Sequence, residues 1–269
     1  MPELPEVETY RRYFEETSLY QPISDVYVED TKLLTTDYDT LNQQLKNHQF
    51  IGTKRVGKNL FAQLDAPYWL HLHFGMTGDL AYFKDDEDTP RFARIIFKFS
   101  NGFRLGFLCP RKFERIGIVE DIEEYLSRKK INKDALEITV EELSKTLNKK
   151  NAPIKSVLLD QSTVAGIGNW IVDEVLYQAK IHPEKKANQL SENEILEIHK
   201  SMRFIIQIAI DSQANYDDFP ESFLIHSRGW GRAGLQDLRV DKCAECGEKI
   251  SISKVGGRTT YFCANRQRL

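Results

Sequence analysis

DQSTVAGIGNWIVDEVLYQA (residues 160–179) sets two glycines and an asparagine between two stretches that read as helix, IKSVLLDQ before them and NWIVDEVLYQAK after. The glycines supply a tight turn, and Asn169 is a residue type that caps the start of a helix. Backbone N–H groups at such a start bind phosphate oxygens. Helical spacing continues outward, through VEELSKTLNKK upstream and SENEILEIHKSMRFIIQIAI downstream. A loop then runs from about 211 to 234, and CAECGEKISISKVGGRTTYFC (243–263) reads as a small β-hairpin closed by Gly256-Gly257.

Further from that turn the period changes. ISDVYVED, NLFAQLD, YWLHLHFGM and the pair RIIFKFS and FRLGFL alternate apolar and polar residues between about 22 and 119 and read as strands. Asn101-Gly102 between two apolar runs predicts a type I′ hairpin turn. A first amphipathic helix precedes them, with Val7, Tyr10 and Phe14 at helical spacing as far as about Glu16. The charged stretch 120–140 reads as a linker with some helix. The fold class is α+β in two domains, a β-sandwich or flattened barrel followed by a helical half.

Bulk composition excludes several classes. At 269 residues, 41 % hydrophobic and 29 % charged, the chain is an ordinary globular protein rather than a disordered one. It has no apolar run of membrane-spanning length and no basic-then-apolar leader, which predicts a cytoplasmic protein. Four cysteines, three of them near the C-terminus, do not make a disulfide scaffold. The net charge of −3 argues mildly against nucleic acid as a partner. The charge is segregated, however: from His226 to Leu269 nine Lys and Arg stand against four Asp and Glu, a local balance of +5. Basic clusters also occur at KRVGK (54–58) and RKFER (111–115), while acid collects at 84–90 and 119–124.

The chain begins MPELPEVET. Pro5 and the acids that follow suit a helix start, but they leave Pro2 unexplained. If Met1 is removed, Pro2 carries a secondary amine, and an α-amino group titrating near pH 8 is partly unprotonated at neutral pH. Such an amine attacks an electrophilic carbon to give an iminium, with neighbouring carboxylates to move protons. Elsewhere Lys58 follows a glycine at the mouth of a strand. Met76 sits between Gly75 and Gly78, an exposed-turn context unusual for a core methionine. Phe113 stands amid basic residues, where an apolar side chain is a buried anchor or a wedge that kinks a duplex. Arg258 lies at a hairpin tip, suited to phosphate contact.

In this order the motifs PELPEVE (2–8), RVGKNL (55–60), HFGMTG (73–78), PRKF (110–113), GIGNWIVDEVLYQA (166–179) and GGRTTYFC (256–263) resemble the formamidopyrimidine-DNA glycosylase/endonuclease VIII family of base-excision repair, and its formamidopyrimidine branch in particular. The resemblance implies an N-terminal β-sandwich catalytic domain flanked by helices (1–132), a helix–two-turn–helix DNA-binding domain (133–234) and a zinc-finger-like β-hairpin (235–269). It implies that Pro2 attacks C1′ of the damaged nucleotide, that Glu3 protonates the deoxyribose ring oxygen, and that Glu6 and Lys58 position the lesion and its phosphate. Met76, Arg111 and Phe113 would fill the hole left by the extruded base. Asn169 and Arg258 would grip flanking phosphates, with His73 a further backbone contact. The implied activity is glycosylase and AP lyase on damaged double-stranded DNA, by a monomer, nucleoid-associated if bacterial. A catalytically silent damaged-DNA binder of the same family is the alternative.

Three departures qualify the resemblance. Cys243, Cys246 and Cys263 match a zinc ribbon whose fourth ligand is missing, because position 266 is Arg, a cation. Three thiolates with water or the C-terminal carboxylate would hold structural zinc; alternatively the finger is zincless, as in plant and fungal members. The segment 212–229 is shorter than its counterpart in the bacterial 8-oxoguanine-removing enzymes, which predicts a preference for formamidopyrimidines, hydantoins and abasic sites. Cys109 replaces an expected aspartate beneath Arg111.

Overall fold

The computed structural model describes residues 1–228 and 242–269. Two units make up the chain, one formed by Met1–Pro2 with Glu6–Lys129, the other by Glu3–Pro5 with Lys130–Leu269.

In the first unit, helix α1 (Leu4–Ser18) is followed by β1 (Ile23–Val28), α2 (Tyr38–Leu45), β2 (Phe50–Val56), β3 (Asn59–Leu64), β4 (Trp69–His73), β5 (Asp79–Lys84), β6 (Ala93–Phe99), β7 (Phe103–Leu108), β8 (Arg115–Val119) and α3 (Ile122–Arg128). The strands form two four-stranded antiparallel sheets, ordered β1-β6-β7-β5 and β2-β3-β4-β8. Alternation explains their facing: Ile95, Phe97, Leu105 and Phe107 from one sheet share a core with Leu60, Ala62, Leu70, Leu72 and Ile116 from the other. Aromatic edges tie the layers, Phe14 of α1 to Phe50 at 5.0 Å and Phe50 to Phe97 at 6.0 Å. The expected sandwich is present. The periodicity missed β2 and β8, whose apolar stretches are interrupted by Gly52, Lys54 and Arg55 and by Gly117, and β5, where only Leu80–Phe83 between two charged ends are apolar.

The hairpin at Asn101-Gly102 exists, but its turn is not type I′. Gly102 alone is left-handed (φ +83°), and Asn101 Oδ1 instead accepts the Phe103 N–H at 3.0 Å. The two-residue turn with both φ positive lies at Gly256-Gly257 (+57° and +74°), with Val255 paired to Arg258.

The second unit holds α4 (Val140–Leu147), α5 (Ile154–Leu159), α6 (Asn169–Gln178), α7 (Glu192–Asp211) and the hairpin β9 (Ser251–Val255) and β10 (Arg258–Phe262). Thr139 and Ser191 open α4 and α7 with full capping boxes to Glu142 and Glu194. The buried faces of these helices, with Leu4, form one core around Trp170, Ile171, Val175, Met202 and Ile206. Among the described residues no helix is long and apolar enough to cross a membrane.

Candidate active site and nucleic-acid interface

The turn that opened the sequence reading is built around an acid from the N-terminus. Glu3 is 3 % exposed, and its two carboxylate oxygens accept the N–H groups of Trp170 at 3.0 Å and Ile171 at 3.2 Å. The Leu4 N–H donates to Gly166 O at 3.1 Å. Glycine is needed here for space: a Cβ on Gly168 would lie 2.1 Å from Glu3 Cδ, and one on Gly166 (φ +106°) 2.6 Å from Leu4 Cδ1. Asn169 is therefore not the cap that its residue type predicted. Gly168 occupies the N-cap position without a side-chain bond, Asn169 is the first helical residue, and Glu3 supplies the capping carboxylate at the positive end of the α6 dipole.

Asn169 turns instead toward the hairpin, its Nδ2 donating to Thr259 O at 3.2 Å while Oδ1 is buried without a hydrogen-bond partner. That places it beside Arg258, exposed at the start of β10. The hairpin is fastened from below by a side chain the sequence reading passed over. Lys155 is fully buried and donates to Thr259 O and Thr260 Oγ1, both at 2.8 Å, with Asp173 Oδ1 at 2.7 Å. Asp173 Oδ2 in turn accepts the Tyr261 N–H at 3.2 Å. A lysine inside the apolar run IKSVLL and an aspartate inside WIVDEV were the signals for this pair.

In the first unit, Pro2 and Glu6 are half-buried. Burial, then the charges of Asp79 and Glu6, pushes the Tyr10 hydroxyl well above its ordinary range. Lys58 lies in the two-residue turn between Val56 and Asn59. Arg55 holds that turn, donating to Gly57 O at 3.2 Å and to Glu8 Oε2 at 3.0 Å. Burial opposes the Glu8 charge, but Arg11 and Arg55 outweigh it and keep the carboxyl below its usual value. His73 is lowered by burial and then by the charges of Lys58 and Arg115. Its Nδ1 accepts the Gly75 N–H at 3.2 Å, which leaves the proton of the neutral ring on Nε2.

The turn that carries Met76 lies against the turn that carries Arg111 and Phe113. A Cβ on Gly75 would lie 2.7 Å from the Phe113 carbonyl carbon, so the 74–78 and 110–114 turns touch backbone to backbone. Phe113 is 52 % exposed with the Arg111 guanidinium 5.4 Å from its ring centroid.

The Sγ atoms of Cys243, Cys246 and Cys263 lie within 4.8 Å of one another, and Cys246 and Cys263 are 3.5 Å apart. Burial opposes ionisation of Cys243, yet hydrogen bonds from Tyr177 and from the N–H groups of Cys246 and Glu245 bring it down to about 7; burial pushes Cys263 up to about 11. Arg266 sits over the Tyr177 ring, 4.6 Å from its centroid, and the charges of Tyr177 and Cys243 help to hold its guanidinium protonated against burial. Three thiols in this spread fit zinc as three of four ligands. Among the described residues no fourth protein donor joins them, so water or another small ligand would complete the site. When bound, zinc would cross-link the turn at 243–246 to the end of β10. The finger is also pinned by Gln267, whose side chain accepts the Cys263 N–H at 2.8 Å and donates to Ile181 O at 2.9 Å.

Comparison with known proteins places this arrangement. Residues 1–116 match the formamidopyrimidine-DNA glycosylase N-terminal domain, and residues 131–219 match the formamidopyrimidine-DNA glycosylase H2TH domain. The chain is 33 % identical to the formamidopyrimidine-DNA glycosylase of Arabidopsis thaliana, covering all of this chain and 71 % of that protein. It is 34 % identical to the Bacillus subtilis enzyme, covering 99 % of each. Among solved structures, Lactococcus lactis Fpg in complex with DNA containing N7-benzyl-Fapy-dG superposes with a TM-score of 0.87 at 32 % identity, covering the whole of both chains. The same enzyme bound to DNA containing an AP site gives 0.88 at 31 %, covering 99 % of this chain and all of that one. Full-length identity above 30 %, both family domains and the shared fold lead to one conclusion: the chain belongs to the formamidopyrimidine-DNA glycosylase family of base-excision-repair enzymes.

Proposed function

We propose that the chain excises oxidised bases, formamidopyrimidines and hydantoins ahead of 8-oxoguanine, from double-stranded DNA through the amine of Pro2, and then cuts the strand by successive β- and δ-elimination. The observation that carries this reading is the fixing of the residue beside Pro2. Glu3 is held by two N–H groups and Leu4 by a third, so the chain presents Pro2 from a pinned backbone. In the reaction the Pro2 nitrogen bonds to C1′ as the C1′–base bond breaks, its proton passing to the departing base; Glu3 then delivers a proton to the deoxyribose ring oxygen as the C1′–O4′ bond breaks, which opens the sugar and gives the iminium, and Glu6 and Lys58 manage protons and the lesion phosphate. A stacked base hides C1′, so the nucleotide is extruded first. Met76, Arg111 and Phe113 take its place in the stack. Neutral His73, Asn169 and Arg258 hold backbone phosphates.

The same reading assigns 1–132, 133–234 and 235–269 as catalytic, helix–two-turn–helix and finger segments, the boundary at 234/235 lying outside the described residues. It takes the enzyme to be a monomer with features of the plant and fungal type, cytoplasmic, and nucleoid-associated if bacterial. The reduced thiol set and the motif VGGRTT favour that type, whereas identity does not separate it from bacterial relatives at 33 to 34 %. Lesion preference rests on the short segment 212–229, whose last residue is also outside the described ones.

Met1 decides the chemistry, since an amide at Pro2 has no nucleophilic lone pair. The test is borohydride trapping on an abasic duplex, using protein whose mass shows a free Pro2. A covalent adduct lost on retention of Met1 is the expected result. No adduct from verified free-Pro2 protein would convert the reading to a silent damaged-DNA binder. Excision rates on matched formamidopyrimidine and 8-oxoguanine duplexes check the preference, and faster 8-oxoguanine release overturns it.

A further inference from the structure

Beneath the exposed Arg111 and Phe113 lies a carboxylate that neither the family resemblance nor the reaction uses. Glu114 has no exposed surface; its Oε1 accepts the Thr77 hydroxyl at 3.3 Å and its Oε2 is buried without a hydrogen-bond partner. Its position follows from the sheet. His73, the last residue of β4, is register partner to Arg115, the first of β8, so the turns 74–78 and 109–114 leave the same sheet end side by side. The 74–78 turn closes on itself through the Gly78 N–H to Phe74 O at 2.8 Å. A Cβ on Gly78 would meet Glu114 Cγ at 2.8 Å, and one on Gly75 would meet Glu114 N at 2.8 Å, so the Glu114 side chain runs directly under that turn.

Burying a carboxylate with half of its acceptor capacity unused is costly, and such groups persist where they organise a site. No solvent-exposed bond joins the two turns in its place: Arg115 Nη1 donates to Lys112 O at 3.1 Å and Glu114 O at 2.6 Å, within the 109–115 segment itself. Glu114 also lies within electrostatic reach of the fully buried Cys109, the position where the resemblance led to an aspartate. A carboxyl group is thus present at 114 and absent at 109.

We propose that Glu114 is a positioning residue that fastens the Met76 turn to the Arg111–Phe113 turn, so that the three side chains enter the duplex as one body. The proposal rests on the reading of those three as the wedge. Joined turns need one ordering step on insertion, and loose ones need two.

The experiment follows extrusion by 2-aminopurine fluorescence beside an abasic site, with single-turnover excision, affinity for undamaged duplex and thermal melting. Glu114→Ala slows extrusion and excision roughly tenfold, with undamaged-duplex affinity within about twofold. Glu114→Gln, whose amide oxygen still accepts Thr77, stays near the parent rate. Extrusion unchanged in Glu114→Ala but slowed in Phe113→Ala overturns the inference and leaves the wedge standing. Extrusion unchanged in Phe113→Ala removes the wedge and the inference with it. If Glu114→Ala does not fold, Thr77→Val decides: slowed extrusion at an unchanged melting temperature supports the fastening, and parent-like extrusion overturns it.

Discussion

At the scale of single residues, two buried groups illustrate how position sets chemistry. Glu3 serves as a cap for α6 and as the proposed proton donor, and these demands separate experimentally. Glu3→Gln retains one carbonyl acceptor, so folding stability falls by only about 1 kcal/mol, while excision falls by about a hundredfold or more because the amide cannot exchange a proton. Single-turnover rates set beside melting curves distinguish the two losses. His71 is the opposite case, a histidine kept neutral for structure. It is 2 % exposed, its Nε2 pairs with Asn59 Oδ1 at 2.9 Å, and burial, then His73 and Lys129, lower it from 6.5 to about 3. A folded-state value below the unfolded one means that the unfolded chain takes up a proton the native state refuses. This contribution to stability is complete above pH 6.5 and lost as the pH falls below it toward 3. Moving from about pH 7 to about pH 5 removes roughly 2 kcal/mol through this group alone. Urea midpoints at the two pH values check it, and His71→Gln should flatten the difference.

At the scale of elements, what matters is how α5 and α6 hold the hairpin. The Lys155–Asp173 pair is fully buried on both sides, and breaking one partner of such a pair strands the other charge. Lys155→Met is expected to lose about 3 to 5 kcal/mol of stability in urea titration and to loosen Arg258 from its place beside Asn169. Gly168→Ala tests the helix start: a Cβ 2.1 Å from Glu3 Cδ must displace the cap, costing about 1 to 3 kcal/mol and most of the activity. Element scale is also where the sequence was most and least readable. Segments such as NWIVDEVLYQAK and RIIFKFS stood out as long, largely apolar runs bounded by turn residues, and both are buried along most of their length. Turn geometry was misassigned because Asn101-Gly102 and Gly256-Gly257 carry the same residue preference, and only the strand register around each decides which φ values are required. Asn169 was misread as a cap because the true capping group arrives from residue 3, a separation that no local spacing contains. Glu114, Lys155 and Asp173 were hidden for the same reason: their partners are far along the chain or across a turn.

For the whole molecule, net charge and function point in different directions, and segregation reconciles them. A chain of net charge −3 binds a polyanion when its basic groups share the contact surface and its acids lie elsewhere. Here many acids are consumed in ion pairs: Glu8 with Arg11 and Arg55, Asp85 with Arg104 and Lys98, Asp30 with Lys112, and Glu29 with Arg94. Arg258 at the hairpin tip and Arg111 beside Phe113 have no acid partner among the ion pairs of the described residues. Affinity for duplex DNA should thus be set by a small number of phosphate contacts and fall steeply with salt rather than follow the isoelectric point. Between about 50 and about 200 mM salt, the slope of log affinity against log salt counts those contacts. Arg258→Ala should reduce that slope by about one and weaken damaged and undamaged duplexes alike, because a phosphate contact carries no sequence or lesion information. Phe113→Ala should leave the slope unchanged and weaken only the lesion-containing duplex. Anisotropy titrations of both variants at several salt concentrations separate the two behaviours. An unchanged slope in Arg258→Ala would remove the hairpin tip from the interface.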